Sequence, residues 1–155
     1  MSGSSSWLCY TDGSCKKSEG SPGGWGCLVR APSGPPIEKR GSAIKTSIAA
    51  MELEAIIEAL RELPDGASAT IFSDSQVTIE HCSRWIPIWK MAEWRKAPAE
   101  HLSRFQEIDR LITVRALRVQ WQWVRGHNGN AGNERANELA AQGAREAKKG
   151  LEREE

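Results

Sequence analysis

Pro64-Asp65-Gly66-Ala67-Ser68-Ala69-Thr70-Ile71-Phe72-Ser73-Asp74 is the stretch on which the fold turns. Pro64 to Gly66 stops whatever precedes it, and Ala67 to Ser73 reads as a strand that delivers Asp74 at its end. Immediately upstream, Ala49 to Leu63 reads as a helix. Ile48, Glu52, Ala55, Ile56, Ala59 and Leu63 form one stripe, while Glu54, Glu58, Arg61 and Glu62 form the opposite, solvated face. Glu52 is therefore an acid on the buried side of a helix that leads into a strand ending in another acid.

Before the helix, Trp7 to Thr11 and Trp25 to Arg30 are β-favouring runs separated by the Gly/Ser/Pro-rich segment Ser18 to Gly24, which suggests a hairpin. Ile37 to Ile44 is a third, weaker strand interrupted by Gly41. After Asp74, Ser75 to Arg84 reads as helix, and Pro87 suits the first turn of a new one better than the interior of a continuing one. Glu100 to Thr113 is helical. Arg118 to Val124 alternates Val119, Trp121 and Trp123 with polar residues as a strand does, and Ala131 to about Lys148 is a final helix. Three strands, then helix, strand, helices, strand and helix, is a mixed α/β order.

The 155 residues fit one domain, with residues 1–6 and about 149–155 expected as flexible tails. No apolar run approaches the ~18 residues that a membrane span needs, and the first residues lack the pattern of a secretory signal, so a cytoplasmic location is the expectation. Cys9, Cys15, Cys27 and Cys82 show no paired C-x-x-C spacing, which argues for reduced thiols rather than zinc. A net charge of +1 supplies no overall field for nucleic acid; any such affinity needs a local patch.

Asp12, before Gly13 at the end of the first strand, has the bland reading of a turn residue, and Asp74 that of a helix cap. Together with Glu52 they mean more. If the strand ends and the buried helix face converge, three anions approach within about 5 Å, and each pair repels by roughly 3 kcal/mol at an effective dielectric near 20. A divalent cation that prefers oxygen, Mg²⁺ or Mn²⁺, resolves that repulsion.

Tyr10-Thr11-Asp12-Gly13-Ser14, Met51-Glu52-Leu53, Phe72-Ser73-Asp74-Ser75-Gln76 and the run Gly126 to Ala140 together resemble a type 1 ribonuclease H, from Trp7 to about Ala147. The resemblance implies a ribonuclease H-like fold, a five-stranded mixed sheet flanked by helices. It implies a monomeric endonuclease that hydrolyses the RNA strand of RNA–DNA hybrids with two bound metal ions, leaving 5′-phosphate and 3′-hydroxyl ends. Asp12 would bridge both metals, with Glu52 and Asp74 completing the site on the leaving-group side. His127, in a Gly/Asn-rich loop, matches a histidine with an accessory role in proton movement or product release.

For the substrate, the same resemblance points to Trp85 beside a DNA-binding channel, to Gln76 as a minor-groove contact and to Ser47 as a phosphate contact. Glu52 and the backbone around Gly13, Ser14 and Cys15 are the candidates for 2′-hydroxyl recognition. The segment from Trp85 to about Ser103 resembles the family's basic protrusion, but it is shortened and carries Met91, Ala92 and Glu93 where cations are common.

The strongest departure is Asn137, at the position where the family normally has a fourth active-site aspartate. Asparagine can be a native ligand through its carbonyl oxygen. It can be an engineered change that traps substrate, or it can mark a catalytically silent hybrid-binding protein. The Gly/Asn richness of the surrounding loop, with the further departures at Ile48 and Met91, favours a native and active enzyme. Glu134, one turn earlier, is not counted as a substitute ligand.

Overall fold

The computed structural model describes residues 6–17, 19–126 and 129–154. Five strands form one mixed sheet: β1 (Trp7–Cys15), β2 (Glu19–Arg30), β3 (Ile37–Ser47), β4 (Ser68–Ser73) and β5 (Arg118–Trp123). Their order is β3-β2-β1-β4-β5. β2 pairs antiparallel with β1 and β3, whereas β1–β4 and β4–β5 are parallel. The two central parallel strands thus direct their carboxyl ends to the same edge, the place where open α/β sheets carry their ligands. Asp12 lies near one such end and Asp74 just past the other.

Side chains alternate across β1. Cys9 joins the hydrophobic core that helix α1 (Ile48–Arg61) builds with Ile71, Phe105 and Ile108, and Gly13 faces the Met51–Glu52 backbone of the same helix. Tyr10 and Asp12 face the other way, toward helix α5 (Ala131–Glu154): Gly132 lies against the Tyr10 ring and Asn137 bonds to Asp12. The sheet is thereby sandwiched between α1, backed by α4 (Leu102–Val114), and α5.

Several expectations need correction. Glu19 to Gly24 is strand, not hairpin loop. Its glycines are required by proximity: a methyl group on Gly24 would collide with the Ala140–Ala144 backbone of α5 and one on Gly26 would come within 2.5 Å of Leu139 Cβ. β1 correspondingly runs on to Cys15, and β3 to Ser47. Ile48 opens α1 at 41% exposure instead of joining the buried stripe, while Met51, Leu53, Ile57 and Leu60 widen that stripe into a mostly buried helix. Helix α5 extends through to Glu154.

Between β4 and α4 the chain forms α2 (Gln76–Glu80), a π-helical turn (His81–Trp85) and α3 (Ile86–Met91) without a break. Pro87 falls in the first turn of α3, as its missing N–H prefers. The Ile86 N–H donates to the His81 carbonyl, five residues back, so the wider turn absorbs the interruption. Trp89 is buried beside His81 and Phe105, which makes it a core residue. Among the described residues, no helix is long and apolar enough to cross a membrane.

Candidate active site

Each acid arrives by a different element. The central strand β1 brings Asp12, 2% exposed. α1, whose N-terminus is capped by Ser47 accepting the Ala50 N–H at 3.1 Å, brings Glu52 one turn later, 4% exposed. Asp74 follows β4, where Ser73 Oγ accepts the Ser75 N–H at 3.0 Å and Ser75 then caps α2. One ligand oxygen from each of Asp12, Glu52 and Asp74 lies within 4.8 Å of the others. All three sequence candidates therefore meet.

Their electrostatics are those of crowded anions with too little water. Burial is the main cause holding Glu52 well above the ordinary carboxylate range. The Asp12 carboxylate adds to it through its charge and a hydrogen bond, and Asp74 adds a further repulsion, while the Gly13 N–H pulls the other way. Ser73 Oγ lies 3.5 Å from Glu52 Oε2. Asp12 is ordered from two sides: its Oδ1 accepts the Gly13 N–H at 2.9 Å and its Oδ2 accepts the Asn137 amide N–H at 2.7 Å.

Asn137 thus belongs to the cluster, presenting a neutral donor to the most buried acid. Among the described residues its side-chain carbonyl oxygen accepts no hydrogen bond and is open to another partner. A cleft of about 240 Å³ beside it is lined by Asp74, Asn133, Glu134, Asn137 and Glu138. Sequence reasoning weighed Glu134 but missed Asn133 and Glu138. Asn133 is buried, its N–H bonded to the Asn130 side chain at the start of α5, and an asparagine just before a helix with a second one in its first turn was the available signal.

A set of three hard oxygen donors, packed within 4.8 Å of one another, fits a divalent cation with oxygen preference. Asp12, Glu52 and Asp74 are the residues that could hold it. Gly126 abuts Asp74, with only 3.2 Å between the position of an added methyl and the carboxylate, so the chain leaving β5 passes beside the cluster. His127 lies outside the described residues.

The substrate candidates surround this centre rather than enter it. Gly13 has no room for a side chain against the Glu52 N–H, and Ser14 follows on the α5 side. Cys15 sits 3.2 Å from Ser21 Oγ, which ties the end of β1 to β2. Ser47 lines a cleft of about 610 Å³ with Lys45, Thr46, His101 and Arg104. Gln76 is exposed at the start of α2. Trp85, 36% exposed, stacks on Trp89 with ring centroids 6.2 Å apart and carries Arg84 5.5 Å from its ring.

The RNase H family model matches residues 4–145 of the chain. The chain belongs to the RNase H family. A relative called ribonuclease H from Polaromonas naphthalenivorans (strain CJ2) is 42% identical over 143 residues, which cover 90% of this chain and 88% of that protein. Another of that name from Verminephrobacter eiseniae (strain EF01-2) is 43% identical over 143 residues, covering 89% and 90%.

Among solved structures, LC9-RNase H1, described as a type 1 RNase H with the type 2 active-site motif, superposes with a TM-score of 0.80 at 30% identity over 92% of this chain and 73% of that one. LC11-RNase H1, solved in complex with an RNA/DNA hybrid, shares the fold at a TM-score of 0.70 and 19% identity, over 91% of this chain and 98% of that one. The five-stranded mixed sheet with flanking helices is the architecture of this enzyme family.

Proposed function

We propose that the chain hydrolyses the RNA strand of RNA–DNA hybrids, with Asp12, Glu52, Asp74 and Asn137 as the centre of the active site. The observation that carries this reading is the convergence of the three carboxylates within 4.8 Å at the carboxyl ends of two parallel strands. Membership of the RNase H family supplies the substrate class.

Asp12, buried and central, would hold the metal together with Glu52 and Asp74, and the Gly13 and Asn137 donors fix its carboxylate orientation. Burial and the neighbouring Asp12 and Asp74 charges raise the Glu52 carboxyl, so a cation at the site competes with protons and loading becomes more favourable as pH rises. Two Mg²⁺ or Mn²⁺ ions held there would activate a water and stabilise the departing oxyanion, leaving 5′-phosphate and 3′-hydroxyl ends. Asn137 orients Asp12 through its amide N–H and leaves its carbonyl oxygen for a metal or a metal-bound water. Gly13 and Ser14, beside Asp12 on β1, provide backbone groups near the ribose, and Trp85 offers an aromatic face at the rim.

The test is a labelled RNA–DNA hybrid incubated with the protein in Mg²⁺ or Mn²⁺, with duplex DNA and duplex RNA as controls. The expected result is cleavage confined to the RNA strand of the hybrid. Binding without cleavage in either metal would instead make the protein a silent hybrid-binding module.

A further inference from the structure

Cations beside the aromatic segment are largely engaged by the protein itself. Lys90 lies 3.0 Å from Asp109, Arg95 lies 3.8 Å from Glu93, and Arg84 packs over Trp85. On the opposite side of Asp12, a cleft of about 640 Å³ opens between the end of the β1–β2 hairpin and the C-terminal half of α5. Lys16, Lys17, Arg145 and Lys148 line it, and none of the four takes part in an ion pair among the described residues. Glu146, the acid next to Arg145, is held by Arg40 at 2.9 Å. The floor is apolar, formed by Pro22, Ala144 and Leu151.

The cleft is aligned with the carboxylate cluster. Ser14, which lines its near end, pairs with Gly24, and Gly24 faces the Ala140–Ala144 backbone of α5. Along the hairpin, Lys16 lies four residues beyond Asp12, or ~13 Å at strand rise. Along α5, Arg145 and Lys148 lie ~12 and ~16 Å beyond Asn137 at helix rise. Both walls therefore place their cations at a similar distance from the cluster and in the same direction. That distance is on the order of four base steps of ~3.4 Å.

We propose that this cleft seats the sugar–phosphate backbone of the strand being cut, about four nucleotides to one side of the cleavage point. The inference rests on the hybrid-cleaving reading above. Four cations that form no ion pair among the described residues supply phosphate contacts, and the short apolar floor accommodates ribose edges. The division of labour is then reversed from what the aromatic segment suggests: the segment around Trp85 offers mainly a ring, and the hairpin with α5 supplies the charge.

The Lys16→Gln/Lys148→Gln double variant tests this, because glutamine keeps the helix propensity of lysine while removing the charge. Circular dichroism and Tm should match the wild type. Hybrid affinity, read by anisotropy of a labelled hybrid, and KM should each weaken about tenfold near 0.1 M salt, with kcat unchanged. The slope of log affinity against log salt should fall by about 1.4–1.8, corresponding to two lost phosphate contacts. A second arm uses hybrids shortened to two base pairs on one side of the cut and then on the other. Wild type and variant should become equal on one shortened substrate only.

Unchanged affinity and slope, in a wild-type protein that does cleave hybrid, would overturn the cleft and leave the proposed function standing. A difference that persists on both shortened substrates would also overturn it, since it would mean a diffuse field. Wild-type binding without cutting would remove the proposed function, while the anisotropy comparison would still decide the cleft.

Discussion

The two faces of the sheet are built by opposite means. On the α1 side, large side chains fill the space: Ile56, Leu60, Leu63, Phe105 and Ile108 are all essentially inaccessible. On the α5 side, the helix and the sheet meet backbone to backbone. Gly24 and Gly26 of β2 leave no room for a methyl group, and an added Cβ on Gly143 would collide with the Gly41 carbonyl. A wide core tolerates adjustment by side-chain rearrangement, whereas a glycine seam does not. The active site draws on both: Glu52 comes from the filled side, and Asn137 from the seam, where its N–H reaches Asp12. The charge of the cluster is thus set by the sheet and α1, and its register with α5 by glycine.

Asp12→Asn should have the largest effect. The variant should lose at least about 10³-fold in hybrid cleavage, because the central ligand loses its charge, while the fold persists and the metal-free protein gains stability from relieved repulsion. Turnover of a labelled hybrid and a melting curve check both halves. Near-normal turnover would mean that the metal centre lies elsewhere.

The two faces should then separate in a pair of packing variants. Leu60→Ala leaves a cavity on the filled side and should cost about 2–5 kcal/mol, with activity per folded molecule retained at low temperature. Gly26→Ala should cost about 1–3 kcal/mol by overpacking, yet it should also reduce kcat. Gly26 is in register with Asp12 and its extra methyl presses on Ala136 and Leu139, which flank Asn137. Chemical denaturation alongside steady-state kinetics distinguishes them. Equal kcat losses in the two would show that the seam does not position the site.

The same contrast explains what could be read from sequence. The filled side announces itself by periodicity, so α1, Glu52 on its buried face, and the strand leading to Asp74 were all legible. The seam does not. Gly24 reads as part of a turn because glycine signals both left-handed backbone and close approach, and only the helix lying on β2 distinguishes the two. The wide turn around Cys82 and Arg84 was invisible because its backbone pattern has no side-chain signature. Lys16 and Lys148 look like solvated charges until the fold sets the hairpin beside α5.

Asn137→Asp tests the seam's contribution to the cluster. The amide now donates to Asp12, so a carboxylate there replaces an attraction by a repulsion of about 1–3 kcal/mol at surface-like dielectric. The metal-free variant should melt lower than the wild type, and added Mg²⁺ should more than reverse the order. The rate against Mg²⁺ should half-saturate at lower concentration, and because Mn²⁺ holds neutral nitrogen and oxygen donors more tightly than Mg²⁺, the ratio of the Mn²⁺ to the Mg²⁺ rate should be smaller than in the wild type. Coincident metal titrations would show that side chain 137 acts only by orienting Asp12.

The smallest expected effect lies on the filled side, far from the chemistry. His81 and His101 both border Phe105, and burial lowers each imidazole from its ordinary value of 6.5. Glu80 opposes the shift at His81 and His101 reinforces it; Glu100 opposes it at His101 and Arg104 reinforces it. The unfolded chain therefore binds these protons more readily than the folded one, so their contribution is intact above pH 6.5 and is lost as pH falls through 6.5 toward the lowered values. Glu52 acts with the opposite sign, its raised value stabilising the metal-free fold as pH falls. Comparing wild type with His101→Gln removes that common background. Between pH 7 and pH 5 the variant should lose about 1–2 °C less in Tm, a small difference because both rings keep partial contact with water. Parallel Tm curves would show that protonating His101 costs the packed aromatic cluster nothing.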